Sequence, residues 1–576
     1  LNTSIKSLRK PYTVWDYNYD TDTYTDLGIA SSRSSITENY AKSIQIYPLL
    51  TLEYKKKIGN HSLDALALVE TIDYSNEAIE ARRYDLVTTD IPYLSAGNQN
   101  TQENGSSASE SGRKSYVGRL NYNYKNKYFL EGTMRADATG EKFSPDSRWG
   151  YFPSVSASWK LSEENFLNNF YALNNLKLRL SYSQTGLDNV GDFRYVTGYN
   201  ILDSLYLIDG SAGQIIRTNG LPNPNVTWLD NTLYNVGLDG VFWNGKLGFE
   251  FDVFYRLTEG IFGTNQRDIP STFGGTLPQE NINNRADRGF DLVINHRNQI
   301  GEDFSYDVSA NVGWARQKWV DFSETEYTDP DDIRLKQKEG NYTNRNIGYL
   351  SDGLLMTQGD IDALTFDQDG DGNSTLVPGD IRYIDLNKDG VLDERDRADI
   401  GYGSIPDISF GLNLGVSYKN FSLSTLFQGA SLFSMEIGGG ARGAFSNGST
   451  PYDYQYEYSW RPDYDNPNVN VNPNAILPRI TNTGTSTNNS KSSDFWLLDG
   501  TYLRLKSINL NYSLGKDLID KLGFSSFDIY ASGSNLFSFN KLGIYKNTFD
   551  PEGPANQDGV TYPIMKTLTL GFKVTL

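Results

Sequence analysis

Apolar side chains recur at every second position in stretch after stretch of this chain. Leu176, Leu178, Leu180 and Tyr182 alternate with Lys177, Arg179, Ser181 and Ser183. Leu247, Phe249, Phe251, Val253 and Tyr255 alternate with Glu250, Asp252 and Arg256, and the same pattern runs through 116–124, 306–314, 410–418 and 568–576. Successive side chains of a strand point to opposite faces, so each stretch reads as a β-strand with one apolar and one polar face. Soluble sandwiches alternate too, but their strands average roughly 5–6 residues. Runs of about ten residues at ~3.3 Å each, tilted by about 40°, make an apolar band roughly 25 Å tall, the height an outer-membrane barrel needs.

The connections fall into two classes that take turns. Short links lie at 58–60, 125–126, 162–174, 244–245, 298–303, 419–420 and 515–526. Long ones separate them at 81–114, 138–152, 185–232, 259–289, 315–409, 431–501 and 538–566. Strict alternation of this kind marks a bacterial outer-membrane barrel, with short turns in the periplasm and long loops outside. The expected fold is all-β: a transmembrane antiparallel β-barrel domain over residues 1–576, with about sixteen strands. If the last strand ends at the periplasm, the 315–409 and 431–501 loops are extracellular.

Composition agrees with this reading. Thirteen per cent aromatic residues, with 39 Tyr and 53 Gly, suit many strands and turns. No stretch approaches the ~20 consecutive apolar residues of a membrane helix. The mean hydropathy of −0.52 looks soluble, but a barrel apolar at only every second residue averages the same way. A formal charge of −19 argues against nucleic acid, whose phosphates it would repel. With no cysteine there is no disulfide, thiol nucleophile or zinc–thiolate site. Leu1 opens without a basic segment followed by an apolar one, so the chain is expected to start inside a larger whole: a mature product, a fragment or half of a split protein.

Two acidic, glycine-turned loops stand out at 367–396. In the sharper one, Asp385, Asn387, Asp389, Asp393 and Asp396 place side-chain oxygens at loop positions 1, 3, 5, 9 and 12, with the Val391 carbonyl at position 7. Gly390 supplies the sharp turn and Leu392 an apolar anchor. Calcium takes 6–8 oxygens at about 2.3–2.6 Å, and this spacing can wrap them around one point, so a structural Ca2+ is expected here. Upstream, Asp367, Asp369 and Asp371 form either a second half-site completed by Asp380 or only an acidic turn. The 431–501 loop carries Tyr454, Tyr456, Tyr458 and Trp460, which read as a surface for a partner or a sugar, or as rings that pack the loop onto its neighbours. Catalysis finds little support: His61 sits beside a short turn, His296 lies within a strand, and no nucleophile elbow or phosphate loop is present.

Several segments carry a family resemblance: RWGYFPSVSASWKLSEE (148–164), LKLRLSYSQTG (176–186), PNPNVTWLDNTLYNVGLD (222–239), GDIRYIDLNKDGVLDERDR (379–397), SIPDISFGLNLGVSYKNFSLSTLFQGA (404–430), DFWLLDGTYLRLKSINLNYSL (494–514) and YASGSNLFSF (530–539). In order and spacing they resemble the barrel of SusC-type (SusC/RagA) TonB-dependent transporters of Bacteroidota. The resemblance implies a non-enzymatic importer of glycans or peptides, integral to the outer membrane and bathed by its lipid. It implies a SusD-like surface lipoprotein as lid and TonB–ExbB–ExbD as energy source. Family members close about 22 strands around a plug. This chain matches their C-terminal part, so the plug, the TonB box and the first strands are expected in a separate N-terminal segment. Gly571, Phe572, Val574 and Leu576 in the last strand resemble the signal read by the barrel assembly machinery, with Leu where an aromatic end is common. Two other readings compete: a passive porin or structural barrel, and a secreted calcium-dependent glycan-binding protein or lyase.

Overall fold

The computed structural model describes residues 2–575 apart from 11, 19–20, 32, 203–206, 209–210, 213, 219, 266–276, 446–449, 482–486, 516–517, 520, 522, 554–555, 558–560 and 563. Its main sheet is one antiparallel ladder. It begins with β1 (Asn2–Arg9), β2 (Ser35–Ile46, resumed as Leu49–Ile58), β3 (His61–Tyr84), β4 (Glu103–Tyr124), β5 (Tyr128–Thr139) and β6 (Trp149–Lys160). It continues through β7 (Leu173–Leu187), β8 (Leu229–Phe242), β9 (Leu247–Thr264), β10 (Gln279–Ile300) and β11 (Phe304–Asp321). It ends with β12 (Ile408–Tyr418), β13 (Phe421–Ser431), β14 (Tyr502–Ser513), β15 (Ser526–Asn540) and β16 (Thr567–Thr575). Of the 17 ladder segments, the two halves of β2 pair end to end along β3, which makes sixteen strands. Pro48, with no N–H to give to the ladder, sits at the break between those halves.

Short turns and long loops alternate along the whole ladder, as the sequence predicts. The strands are longer than the ten residues expected: β3 has 24, β4 and β10 have 22 each. Their added length is polar; β4 opens with ENGSSASESGRK, which pairs rung by rung with β3. Backbone hydrogen bonding continues wherever the partner stays in register, so the ladder stands above its apolar band. The expected loops 81–114 and 259–289 accordingly shrink to 85–102 and 265–278.

The two faces of the ladder differ in chemistry. Leu180, Val236, Val253 and Ile294 lie exposed on one face, as lipid-facing residues do. Aromatic rings border that face at both ends. Tyr116 stacks on Trp149 and Phe290 on Trp314 toward the long loops, while Tyr124 meets Tyr128 and Phe421 meets Tyr512 toward the short turns. The eight steps from Tyr116 to Tyr124, or from Trp314 to Tyr306, span about 20 Å of tilted strand, comparable with the roughly 25 Å apolar band of an outer-membrane barrel. On the other face, Arg179 reaches across Gly237 to bind Asp239 at 2.7 Å and Asp252 at 2.7 Å, and Arg135 binds Glu70 at 2.6 Å and Asp137 at 2.7 Å. A Cβ at Gly237 would lie 2.5 Å from Asp252 Oδ1, so only glycine leaves room for that triad. Among the described residues no helix is long and apolar enough to cross a membrane. The chain crosses with strands.

Candidate functional site

The long loops at 322–407, 432–501 and 541–566 fold together over one end of the ladder. Their shared core contains Ile381, Tyr383, Leu392, Met435, Ile437 and Trp496, joined by Tyr545 and Phe549 from the last loop. A buried polar network ties the first two loops. Asn489 accepts from the Ile381 N–H at 2.8 Å and donates to Asp380 at 2.8 Å, while Gln368 accepts from the Tyr383 N–H at 2.9 Å and donates to Asn488 at 3.0 Å. Tyr383 donates its hydroxyl proton to the Asn488 carbonyl at 2.9 Å, and Trp496 donates to the Asn489 carbonyl at 2.8 Å. The third loop is pinned by Arg504, which is buried on β14 and bound to Asp550 and Glu552 at 2.6 Å each. Beside that anchor a cavity of about 470 Å³, lined by Arg504, Asn535, Lys546 and Lys566 together with Phe539 and Ile564, opens at the edge of the cap. The loops thus form a folded cap over the long-loop end of the ladder.

The acidic loops lie at the centre of this cap. Gly390 takes φ +90°, which supplies the turn expected of it, and Leu392 is buried in the shared core. The two loops pair through their backbones: the Asp367 N–H donates to the Gly390 carbonyl at 2.9 Å and the Leu392 N–H to the Asp367 carbonyl at 2.8 Å. Asp396 is fully buried and accepts from the N–H groups of Leu386, Asp393 and, at longer range, Asn387. Burial pushes its carboxyl above the usual range against those donors, and the Asp385 charge adds to the rise. Asp385 accepts from the N–H groups of Lys388 and Gly390, Asp389 from Val391, and Asp393 from Arg395.

The oxygen donor set suits calcium, but its arrangement here is that of an Asx-turned loop. Among the described residues no three Asp, Glu or His side chains converge to hold a metal. The upstream loop is likewise closed on itself: Asp367 accepts from Gly370 and Gly372, Asp371 donates its N–H to Asp369, and Asp369 also accepts from Asn373 and Thr375. Burial opposes ionisation of Asp369, yet these donors outweigh it and hold the carboxyl well below the usual range. Asp380 does not complete that loop. Its carboxylate is held by Asn489 and the Val377 N–H, and burial pushes its pKa up.

The aromatic run divides. Tyr454 is buried with its hydroxyl on the Ala441 carbonyl, Trp460 is buried with its indole N–H on the Met356 carbonyl, and Tyr458 packs against the shared core. Burial pushes the Tyr454 phenol up. Tyr456 alone of the four is displayed, at 64% exposure, with Arg461 over its ring. Tyr464, 98% exposed, and Val469, Val471 and Ile476 share the same loop. His61 bonds Tyr122, and His296 stacks on Tyr306 near the short turns, so neither histidine enters the cap. In the last strand Phe572 is exposed on the apolar face and a Cβ at Gly571 would collide with the Tyr530 ring across the ladder; Leu576 lies outside the described residues. Gln368, Asn488, Asn489 and the Arg504 anchor carry no motif or periodicity of their own, and Asn488 and Asn489 sit in a Ser/Thr-rich run that reads as solvated loop.

No family model matches the chain. It is 25% identical over 575 residues to the TonB-dependent receptor P3 of Formosa agariphila, a match that covers 94% of the chain and 52% of the relative. It is 27% identical over 551 residues to the TonB-dependent receptor SusC of Bacteroides thetaiotaomicron, covering 93% and 50%. The chain therefore spans about half the length of the curated relatives it matches. A solved structure of the RagAB peptide importer in its open-open state superposes with a TM-score of 0.76 at 20% identity, covering 100% of the chain and 58% of that chain. That superposition shows the fold.

Proposed function

We propose that this SusC/RagA-like outer-membrane barrel works in TonB-dependent import of oligomeric nutrients, glycans or peptides, across the outer membrane. The observation that carries the reading is the pairing of a lipid-faced, sixteen-strand ladder with a folded cap over its long-loop end, the end that faces outside in this reading. A rigid cap positions a docking rim, and the displayed residues Tyr456, Tyr464, Val469 and Ile476 offer apolar area for a SusD-like lipoprotein lid. In the residue pairing among the described residues, β16 meets only β15 and Leu49–Ile58 meets only β3, so the outer edge of each carries no ladder partner. Unpaired backbone in lipid costs several kcal/mol per group, so further strands with a plug, in the same or another chain, complete the barrel and carry the TonB contact. The test is uptake by cells that carry the assembled protein. Uptake is expected to stop when TonB is removed and a lipoprotein is expected to co-purify; uptake unchanged without TonB would overturn the reading in favour of a passive pore.

We also propose a structural calcium ion at Asp385–Asp396. The support is a buried carboxylate, Asp396, that has no Lys or Arg ion-pair partner among the described residues and lies on a loop rich in hard oxygen donors. When bound, the ion would neutralise that loop; Asp385, Asn387, Asp389, Asp393, Asp396 and the Val391 carbonyl are its ligands in this proposal. Calorimetric titration should show one saturable site that is lost in Asp385→Ala and Asp389→Ala. Equal binding by parent and both variants would remove it.

A further inference from the structure

We propose that the barrel carries a binding site for the phosphate of an outer-leaflet lipid, built on β10 and β11 just above the apolar band. Arg288 and Arg316 stand directly opposite each other on these neighbouring strands. Strand alternation sets both on the face that carries Phe290, Leu292, Val312 and Trp314, the lipid-facing side, one step beyond the Phe290–Trp314 stack toward the long loops. Both guanidinium groups meet one ring. Arg288 donates to the Tyr342 hydroxyl at 3.2 Å and Arg316 lies 3.5 Å from the Tyr342 ring centroid. Lys318 follows on the same face of β11 and bridges to Tyr342 through its backbone.

Like charges directly opposite on adjacent strands repel, so the pair needs an anion to be stable. Asp407 supplies one carboxylate, to Arg316 at 3.1 Å; among the described residues Arg288 and Lys318 make no ion pair. The next acidic residues on this face, Asp230 and Glu259, lie opposite each other on β8 and β9 and leave the cluster two positive charges in excess. In a chain of formal charge −19, an outward cationic cluster at this height is unexpected unless something anionic meets it. Arg forks match phosphate oxygens bidentately, and the apolar face below would receive acyl chains. A phosphorylated lipid fits both halves of the site; a free phosphate fits only the upper half.

The experiment uses the protein purified from outer membranes. Binding of diphosphoryl lipid A, of its dephosphorylated form and of inorganic phosphate is compared in detergent, and retained lipid is read by native mass spectrometry. The pair Arg288→Gln with Arg316→Gln is expected to lower lipid A affinity by about tenfold, and Arg288→Lys with Arg316→Lys by less. Lys114→Gln, on the same face of β4 away from the cluster, should bind as the parent does. Heat-modifiable gel mobility reports folding of each variant; should the Gln pair not fold, Lys318→Gln alone should weaken binding several-fold. Equal binding of the dephosphorylated lipid, or no loss in the Gln variants, would overturn the proposal. Displacement of the lipid by inorganic phosphate would overturn it too, in favour of a free-anion site.

Discussion

At the scale of single residues, the cap depends on a few buried amides. Asn489 satisfies the Ile381 N–H and the Asp380 carboxylate at once, and both are buried. Asn489→Ala strips the Ile381 N–H of its acceptor and leaves the Asp380 carboxylate with the Val377 N–H but without its amide donor, and a buried group left without its partner costs about 1–3 kcal/mol. We expect the cap to lose about 2–4 kcal/mol of stability, read as faster amide exchange at 381–383, with exchange in the barrel strands unchanged. Asp380 also makes the cap sensitive to pH. Burial raises its folded-state pKa above 3.8, so between that value and the raised one the folded cap holds the extra proton. Its stability contribution is therefore greatest in acid and falls as pH rises through the raised pKa. Asp369, whose pKa is lowered, acts in the opposite sense, contributing stability above 3.8 and losing it in acid. The Asp380 part is isolated by Asp380→Asn: followed by Trp460 and Trp496 fluorescence, the difference in cap melting temperature between variant and parent should change as pH rises from about 4 to 7, in the variant's favour. Asp369 and Asp380 stood out in the sequence as acidic-loop residues, but the buried amide Asn489 that holds Asp380 did not. The run TNTGTSTNNSKSSD carries no periodicity, and only the fold brings Asn488 and Asn489 against Ile381. The aromatic run left two readings open, display to a partner or packing of the loop, and the sequence could not divide the rings between them; the short helix Asp453–Tyr458 turns Tyr454 inward and leaves Tyr456 exposed.

Elements were far more legible. Period-2 alternation identifies a strand's two faces by itself, and because a barrel wall is one layer thick, no second sheet blurs the pattern. What alternation could not show was strand length, since the polar upper half of β4 is held by its pairing with β3 and not by burial. Glycine placement within strands was also silent until cross-strand neighbours were known. Gly237 has meaning only beside Arg179 and Asp252. Gly237→Val forces its Cβ into that triad and separates the guanidinium from one carboxylate; overpacking of this kind costs typically 1–3 kcal/mol, about as much as losing the charge pair. A lower melting temperature of the heat-modifiable band is the expected outcome, and Gly237→Ala should show a smaller shift. Gly571 makes the parallel case in the last strand, where the Tyr530 ring lies over it. If the assembly machinery reads this strand, Gly571→Leu should slow insertion more than Lys573→Leu does, measured by pulse-chase appearance of the folded form.

On the scale of the whole molecule, the ladder has two free edges of unusual chemistry. β16 pairs with β15 on one side, while Leu568 and Leu570 are each 80% exposed. Leu49–Ile58 is exposed at every residue and pairs only with β3. A sheet edge in lipid would leave alternate N–H groups without acceptors, and outer-membrane barrels avoid this by closing. The edges therefore make a prediction about protection that is independent of the substrate. In the protein assembled in outer membranes, amides on both edges of β16 should exchange slowly, because a neighbouring strand accepts from the outer set. In the 576-residue chain refolded alone into lipid, the outer set of amides in Thr567–Thr575 should exchange orders of magnitude faster than those facing β15. Equal protection of both sets in the chain alone would mean that β16 meets β1 or β2 directly and that sixteen strands close by themselves. Such closure would make a narrower pore than a 22-stranded wall encloses, since diameter grows roughly linearly with strand number, and would leave no room for a folded plug. The exchange pattern of one nine-residue strand thus decides between an energised importer with a separate plug and a self-contained pore.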